Sequence, residues 1–197
     1  MTASSMLSCR SLSRLGRLGV LLAFFLGAAA PPAAAQGIEV KRATLVAAED
    51  GYFIEAEFDI ALTHILEDAL NKGIPLYFSL EFVLTRPRWY WFNEKIFDTR
   101  QLYRVSYNAL TRQYRVGVGT LYQNFASLPE AIAFLSRVRV RDIAEPGALP
   151  RGSSYAAELR LRLDTSQLPR PFQVSAVGSR DWNVSSDWYR WTVTVSP

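Results

Sequence analysis

Leu76, Phe78, Leu80, Phe82 and Leu84 occupy every second position of one uninterrupted run. A helix would scatter these five side chains around its circumference. A strand sets them all on one face, because successive side chains point to opposite sides. The run therefore demands a strand with one face in a hydrophobic core. Phe78 and Phe82 are expected to point inward, and Tyr77 and Glu81 outward. A second alternation supports the same architecture. Tyr52, Ile54, Ala56, Phe58 and Ile60 share one face, and Glu55, Glu57 and Asp59 share the other. That is the pattern of a strand with one wet side.

The other segments follow suit. Ile38–Ala47 is extended and ends at the turn signal Glu49-Asp50-Gly51. Tyr103, Val105 and Tyr107 can oppose Tyr114, Val116 and Val118 across a turn at 108–112. Val138 and Val140 alternate with Arg137, Arg139 and Arg141, and Tyr155 to Leu163 alternate with Glu158, Arg160 and Arg162. Arg86-Pro87-Arg88 interrupts the apolar strand, and Trp89–Phe92 is read as its resumption, an edge or bent strand. Phe172–Val177 and Trp188–Val195 are read as a closing hairpin around a polar loop. Two short helices are expected. Thr63 caps the first, which ends before Gly73, and Ser127 with Glu130 forms a capping box for the second. Eight or nine strands at this spacing predict an all-β fold, an antiparallel immunoglobulin-like β-sandwich over residues 36–197.

Residues 1–35 have the order of a secretory signal peptide. Arg10, Arg14 and Arg17 precede an apolar run from Leu18 to Ala30, and Ala33-Ala34-Ala35 supplies the small residues a signal peptidase reads. That run falls short of the roughly 20 residues a membrane span needs. Cleavage is expected after Ala35, giving a periplasmic or secreted protein that meets the membrane only through its leader. The sole cysteine, Cys9, would leave with it, so the mature chain has no disulfide or thiol chemistry. The formal charge of +4 also changes, because the leader removes three arginines and no acid and leaves +1. A nucleic-acid partner is thereby disfavoured, since counterion release needs excess cationic charge.

Catalytic and cofactor signatures are absent from the sequence. No Gly-x-Ser-x-Gly elbow, phosphate loop or dinucleotide fingerprint is present. The single histidine, His64, cannot build a multi-histidine metal site and reads as a solvated surface residue. No cofactor or metal is expected, and no enzymatic activity. The aromatic clusters are the better candidates. Trp89 and Trp91 beside Arg88 could form one recognition edge. Asp181, Trp182, Asp187 and Trp188 could form another, in a loop that a rigid scaffold would present. Each has a structural alternative: Asp181 and Asp187 can brace a turn, Trp182 can plug the end of the sandwich, and Trp191 is expected in the core.

The segment Pro75–Phe92 with its Arg86-Pro-Arg-Trp-Tyr-Trp-Phe92 end, followed by Tyr103–Arg115, resembles the DUF4390 family of exported proteobacterial proteins. Leu168-Pro-Arg-Pro-Phe172 and Ser179–Trp188 are similar to the closing segment of that family. The resemblance covers the whole mature chain. It implies export and a β-rich domain, and it carries no reaction, cofactor or catalytic residue. It also implies a neighbouring membrane sensor histidine kinase, whose periplasmic part would be the envelope partner. Two functions are therefore expected to compete: a non-enzymatic protein-binding module, and a carbohydrate-binding or glycan-hydrolysing envelope domain. Coplanar exposed Trp rings beside a carboxylate pair in a cleft would favour the second. An aromatic edge without a cleft would favour the first.

Overall fold

In a computed structural model of the chain, residues 37–90 and 93–195 are described, apart from the side chain of Asp142. The expected leader and Trp91 lie outside the described residues. The first sheet contains β1 (Gly37–Ala48), β2 (Gly51–Ala61) and β7 (Arg137–Ala144), in the order β1-β2-β7. The second contains β3 (Leu76–Arg86), β4 (Glu94–Asn108), β5 (Gln113–Val118), β6 (Leu121–Phe125), β8 (Ser154–Leu163) and β9 (Tyr189–Thr194). Its order is β6-β5-β4-β3-β8-β9, so β3 lies inside the sheet between β4 and β8. Every pairing is antiparallel. The antiparallel sandwich expected from the alternating pattern is the fold that forms.

The alternating residues make its core. Ile54 and Phe58 of β2, Val138 and Val140 of β7, and Phe78, Phe82, Leu159 and Leu161 of the larger sheet belong to one buried cluster. Trp191 is half-buried, with its ring 6.1 Å from that of Phe82. The β1–β2 turn depends on Gly51, which adopts φ +132°. A Cβ there would lie 2.5 Å from the main-chain oxygen of Ala144, so only glycine fits this approach.

Both helix starts follow the sequence. Helix α1 (His64–Asn71) begins at Thr63, whose Oγ1 accepts from Leu66 N–H at 3.3 Å. Helix α2 (Leu128–Leu135) begins at Ser127, whose Oγ accepts from Glu130 N–H at 3.4 Å. Glu130 reaches back to accept from Ala126 N–H at 3.2 Å. These bonds satisfy donors that the first turn of a helix leaves unpaired. His64 is exposed and lies 3.6 Å from Asp68, one turn along α1. Among the described residues, no helix is long and apolar enough to cross a membrane.

Three segments contradict the sequence reading, and β6 forms where no element was expected. Phe172–Val177 is not a strand: it lies in a third helix, α3 (Arg170–Ala176), followed by the cap residue Val177. Pro171 explains the difference. In a first helical turn its missing N–H costs nothing, and its fixed φ already suits the helix. Phe172 and Ala176, four apart, rest on the core while Val174 and Val177 are exposed. The expected hairpin arm is thus a helix with one apolar stripe, and β9 pairs with β8 instead. The second departure is at Trp89–Tyr90, a bend beyond the end of β3, because Pro87 can give no ladder hydrogen bond. The third is Glu81, expected in solvent but only 7% exposed. Side chains from both neighbouring strands close over it, and Ser79 on the same outer face is fully buried.

Strand β3 therefore has cover on both faces, apolar inside and polar outside. Phe78→Ala and Phe82→Ala are each expected to cost about 3–5 kcal/mol. Tyr77→Ala, at a half-buried outer position, should cost much less. Chemical denaturation of the three variants measures this, and an equal loss for Tyr77→Ala would contradict the inward orientation of the two phenylalanines.

Candidate functional site

The tip of the β3–β4 hairpin is built on charge. Arg86 and Glu94 are partners in the ladder that closes it. Arg86 donates to Glu94 Oε2 at 3.5 Å and to the hydroxyl of Tyr155 at 3.1 Å. Tyr155 is fully buried, so this bond ties the hairpin base to the core. Arg88 donates to the same Glu94 oxygen at 2.6 Å. Beyond these anchors the chain lifts Trp89 and Tyr90 into solvent. Trp89 is 95% exposed and Tyr90 65%. Their rings meet edge to face, with centroids 5.2 Å apart and planes at 72°. The clamp fixes the backbone beneath two side chains that have almost no cover of their own.

The closing loop behaves differently. Trp182 is buried, its ring centroid 6.1 Å from that of Phe172. The main-chain oxygen of Asp181 accepts from Thr63 Oγ1 at 3.0 Å. That hydroxyl also caps α1, so one side chain joins the loop to the helix start. Val184 O accepts from Leu163 N–H at 2.8 Å, and Ser186 N–H donates to Leu161 O at 2.9 Å. Ser186 Oγ in turn accepts from Leu161 N–H at 3.1 Å. The loop is thereby stitched along β8. Asp181 is half-buried, Asp187 is exposed, and Trp188 stacks over Arg160 at 4.4 Å on the outer face of the larger sheet. The structure thus places Trp182 in the core and Trp188 on an arginine. It does not gather Asp181, Trp182, Asp187 and Trp188 around one cavity.

The sequence reading missed the group on which Trp188 rests. Glu81 of β3 faces Arg100 of β4 and Arg160 of β8 across the two ladders. Arg100 and Arg162 each approach Glu81 Oε1 to 2.9 Å, and Arg160 bonds Oε2 through both Nε and Nη2. Burial pushes the Glu81 carboxyl up. Hydrogen bonds and charge from Arg160 and Arg162 outweigh that effect and hold it below the usual carboxylate range. A carboxylate held in this state is no proton donor at neutral pH. Its geometry serves the fold, and leaves a surplus of positive charge on the face. The one available sequence signal was a lone Glu in the middle of the most apolar strand. Among the described residues, no group of three or more His, Cys, Asp or Glu could hold a metal ion.

Fold and site together define a β-rich, two-sheet domain that presents a clamped aromatic hairpin tip. The chain belongs to the DUF4390 family, a domain of unknown function whose family model matches residues 35–192. That match spans β1 to the middle of β9 and includes both aromatic segments. The searches of curated proteins and of solved structures returned no match.

The depressed Glu81 carboxyl sets the sign of an acid response. A carboxyl lowered in the folded state adds stability above its unfolded pKa of about 4.3, and loses it as pH falls through the lower folded value. Glu81→Gln should destabilise the protein at pH 7 by about 1–3 kcal/mol, the cost of leaving buried polar groups poorly paired. The gap from the parent should shrink as pH falls below about 4.3. Thermal unfolding of both proteins between neutral and acid pH checks this. A constant gap would show that Glu81 is not ionised in the folded state.

Proposed function

We propose that this chain is an exported, non-enzymatic protein-binding module of the cell envelope, and that the β3–β4 tip is its contact. One observation carries the reading: Trp89 is 95% exposed on a hairpin whose base is clamped by Arg86, Arg88 and Glu94. Leaving a large indole in water forgoes the gain of burial that folding the tip back would have recovered. Trp, Tyr and Arg are also the residues most enriched where binding energy concentrates, and the two aromatic side chains bury large area with few rotatable bonds. A pre-held tip loses little conformational freedom on binding. The partner is an envelope protein with an apolar pocket able to take an indole; the resemblance to exported proteins encoded near a membrane sensor kinase makes that kinase's periplasmic part the first partner to test.

The glycan reading has less support. Sugar-binding platforms need rings lying flat beside a free carboxylate. The two tip rings stand at 72°, and the nearby Glu94 is engaged by two arginines.

A photo-crosslinking residue placed at position 89 should yield a discrete protein adduct in the envelope of the native host. The same residue at position 110 is the control, because Leu110 is 96% exposed at the turn closing the other end of β4. The exported protein should begin at Gln36, and Trp89→Ala with Tyr90→Ala should abolish the complex without changing export. The same adducts from both positions, or none from position 89, would refute the tip as the contact. An adduct with a protein that retains residues 1–35 would refute cleavage after Ala35 separately.

A further inference from the structure

The outer face of the larger sheet contains a groove of about 400 Å³ across β4, β5 and the β5–β6 turn. Gly117 lies at its floor. A Cβ there would come within 3.3 Å of the main-chain oxygen of Leu121, so the glycine keeps the floor open. Two arginines rise from the floor. Arg104 pairs with Gly117 across the β4–β5 ladder, and Arg115 pairs with Ser106. The two arginines are therefore diagonal neighbours on one face, with backbones about 7–8 Å apart.

Each guanidinium is held by an aromatic ring. Arg104 lies 5.8 Å from the centroid of Tyr77, and Arg115 lies 4.3 Å from that of Tyr122. Arg115 Nε also donates to Asn124 Oδ1 at 3.1 Å. Stacking of this kind orients a guanidinium without consuming its in-plane donors. The carboxylates of the same face are engaged elsewhere. Glu81 is held by Arg100, Arg160 and Arg162, and Glu158 by Arg190. Among the described residues no acidic residue lines the groove, and neither Arg104 nor Arg115 forms an ion pair. Two oriented, unneutralised guanidiniums over an open glycine floor match an oxyanion, which accepts paired N–H donors in a plane. The walls from Tyr77, Leu102 and Tyr122 add apolar surface. A cavity of this size lies in the range of small-molecule sites.

We propose that this groove binds an anionic small molecule, with a phosphate-type oxyanion bridging Arg104 and Arg115 and its body lying against Tyr122 and Leu102. The site is separate from the aromatic tip and does not depend on the reading of that tip. Its ligand chemistry is shared by soluble phosphate esters and by the headgroups of anionic lipids.

The test uses inorganic phosphate as the probe, titrated into the folded protein at constant ionic strength with chloride as the balancing salt. Backbone and arginine side-chain NMR resonances report the site. Saturable shifts should centre on Arg104, Arg115 and Gly117. Arg104→Gln and Arg115→Gln should each weaken binding at least tenfold. Arg151→Gln, which removes an exposed loop cation, should leave it unchanged. Gly117→Ala should weaken binding as well. If that variant fails to fold, the two arginine variants still decide the question. A second arm uses phosphatidylcholine vesicles with and without phosphatidylglycerol. Sedimentation that requires phosphatidylglycerol, Arg104 and Arg115 supports the site with a lipid headgroup as its ligand. Binding of phosphate without vesicle binding supports it with a soluble ligand. Shifts that do not saturate, or equal weakening in Arg151→Gln, would overturn the proposal.

Discussion

Burial of β3 on both faces is the constraint on which the rest of this structure depends. Its inner side chains, Leu76 to Leu84 at every second position, are at most 1% exposed. A strand inside an antiparallel sheet usually has one dry face and one wet face. Here the middle of the outer face, Ser79 and Glu81, is buried as well, while Tyr77 and Val83 beside it are half-buried, and the residue at its centre is charged. Glu81 could not remain ionised at 7% exposure without compensation, because burying a lone carboxylate is costly. Arg100 from one neighbouring strand and Arg160 and Arg162 from the other supply that compensation. The same contacts span β4, β3 and β8, so satisfying one charge also fixes the lateral register of three strands. A slip of one residue would turn Glu81 into the core and every phenylalanine outward.

The functional features extend from this frame. The tip bearing Trp89 and Tyr90 continues from β3, and Arg86 fastens its base to the buried Tyr155. The arginine groove lies on the same outer face, across β4 and β5 toward the β6 edge, and Glu81 is not among the residues that line it. The closing segment contributes differently. It packs Trp182 on Phe172, lends the Asp181 carbonyl to Thr63 and runs along β8 through Val184 and Ser186. Its density of aromatic and acidic residues thus has a structural cause for Trp182 and Asp181, and Trp188 serves as a lid over Arg160.

Most strands, their faces and both capped helix starts were legible in the sequence because each follows from local periodicity or one cap; β6, polar and without a buried alternation, was not. Ile54, Phe58, Val138 and Val140 fell on the expected side for that reason alone. What was not legible depended on partners distant in sequence. Glu81 reads as a wet-face residue until β4 and β8 bring their arginines beside it, and strand order is not encoded in any single strand's pattern. Phe172–Val177 misled because a helical stripe of Phe172 and Ala176 also satisfies a period of two over so short a run. Proline in the first turn was the better signal. At the tip, the aromatic run was visible in the sequence, but the exposure of Trp89 and Tyr90 goes with the Arg86–Glu94–Arg88 clamp, which needs the hairpin to exist first.

Strand β3, buried on its inner face and at the middle of its outer face, should be the last part of the fold to open. Native-state hydrogen exchange tests it directly, since amides differ in whether they need local or global opening to exchange. The amides of Phe78 to Phe82 should exchange only through global unfolding, with an opening free energy equal to that from chemical denaturation. Those of β6, at the sheet edge and with four of its five residues exposed, should open at lower free energy. Exchange of the β3 amides through local opening as easy as that of β6 would contradict the account.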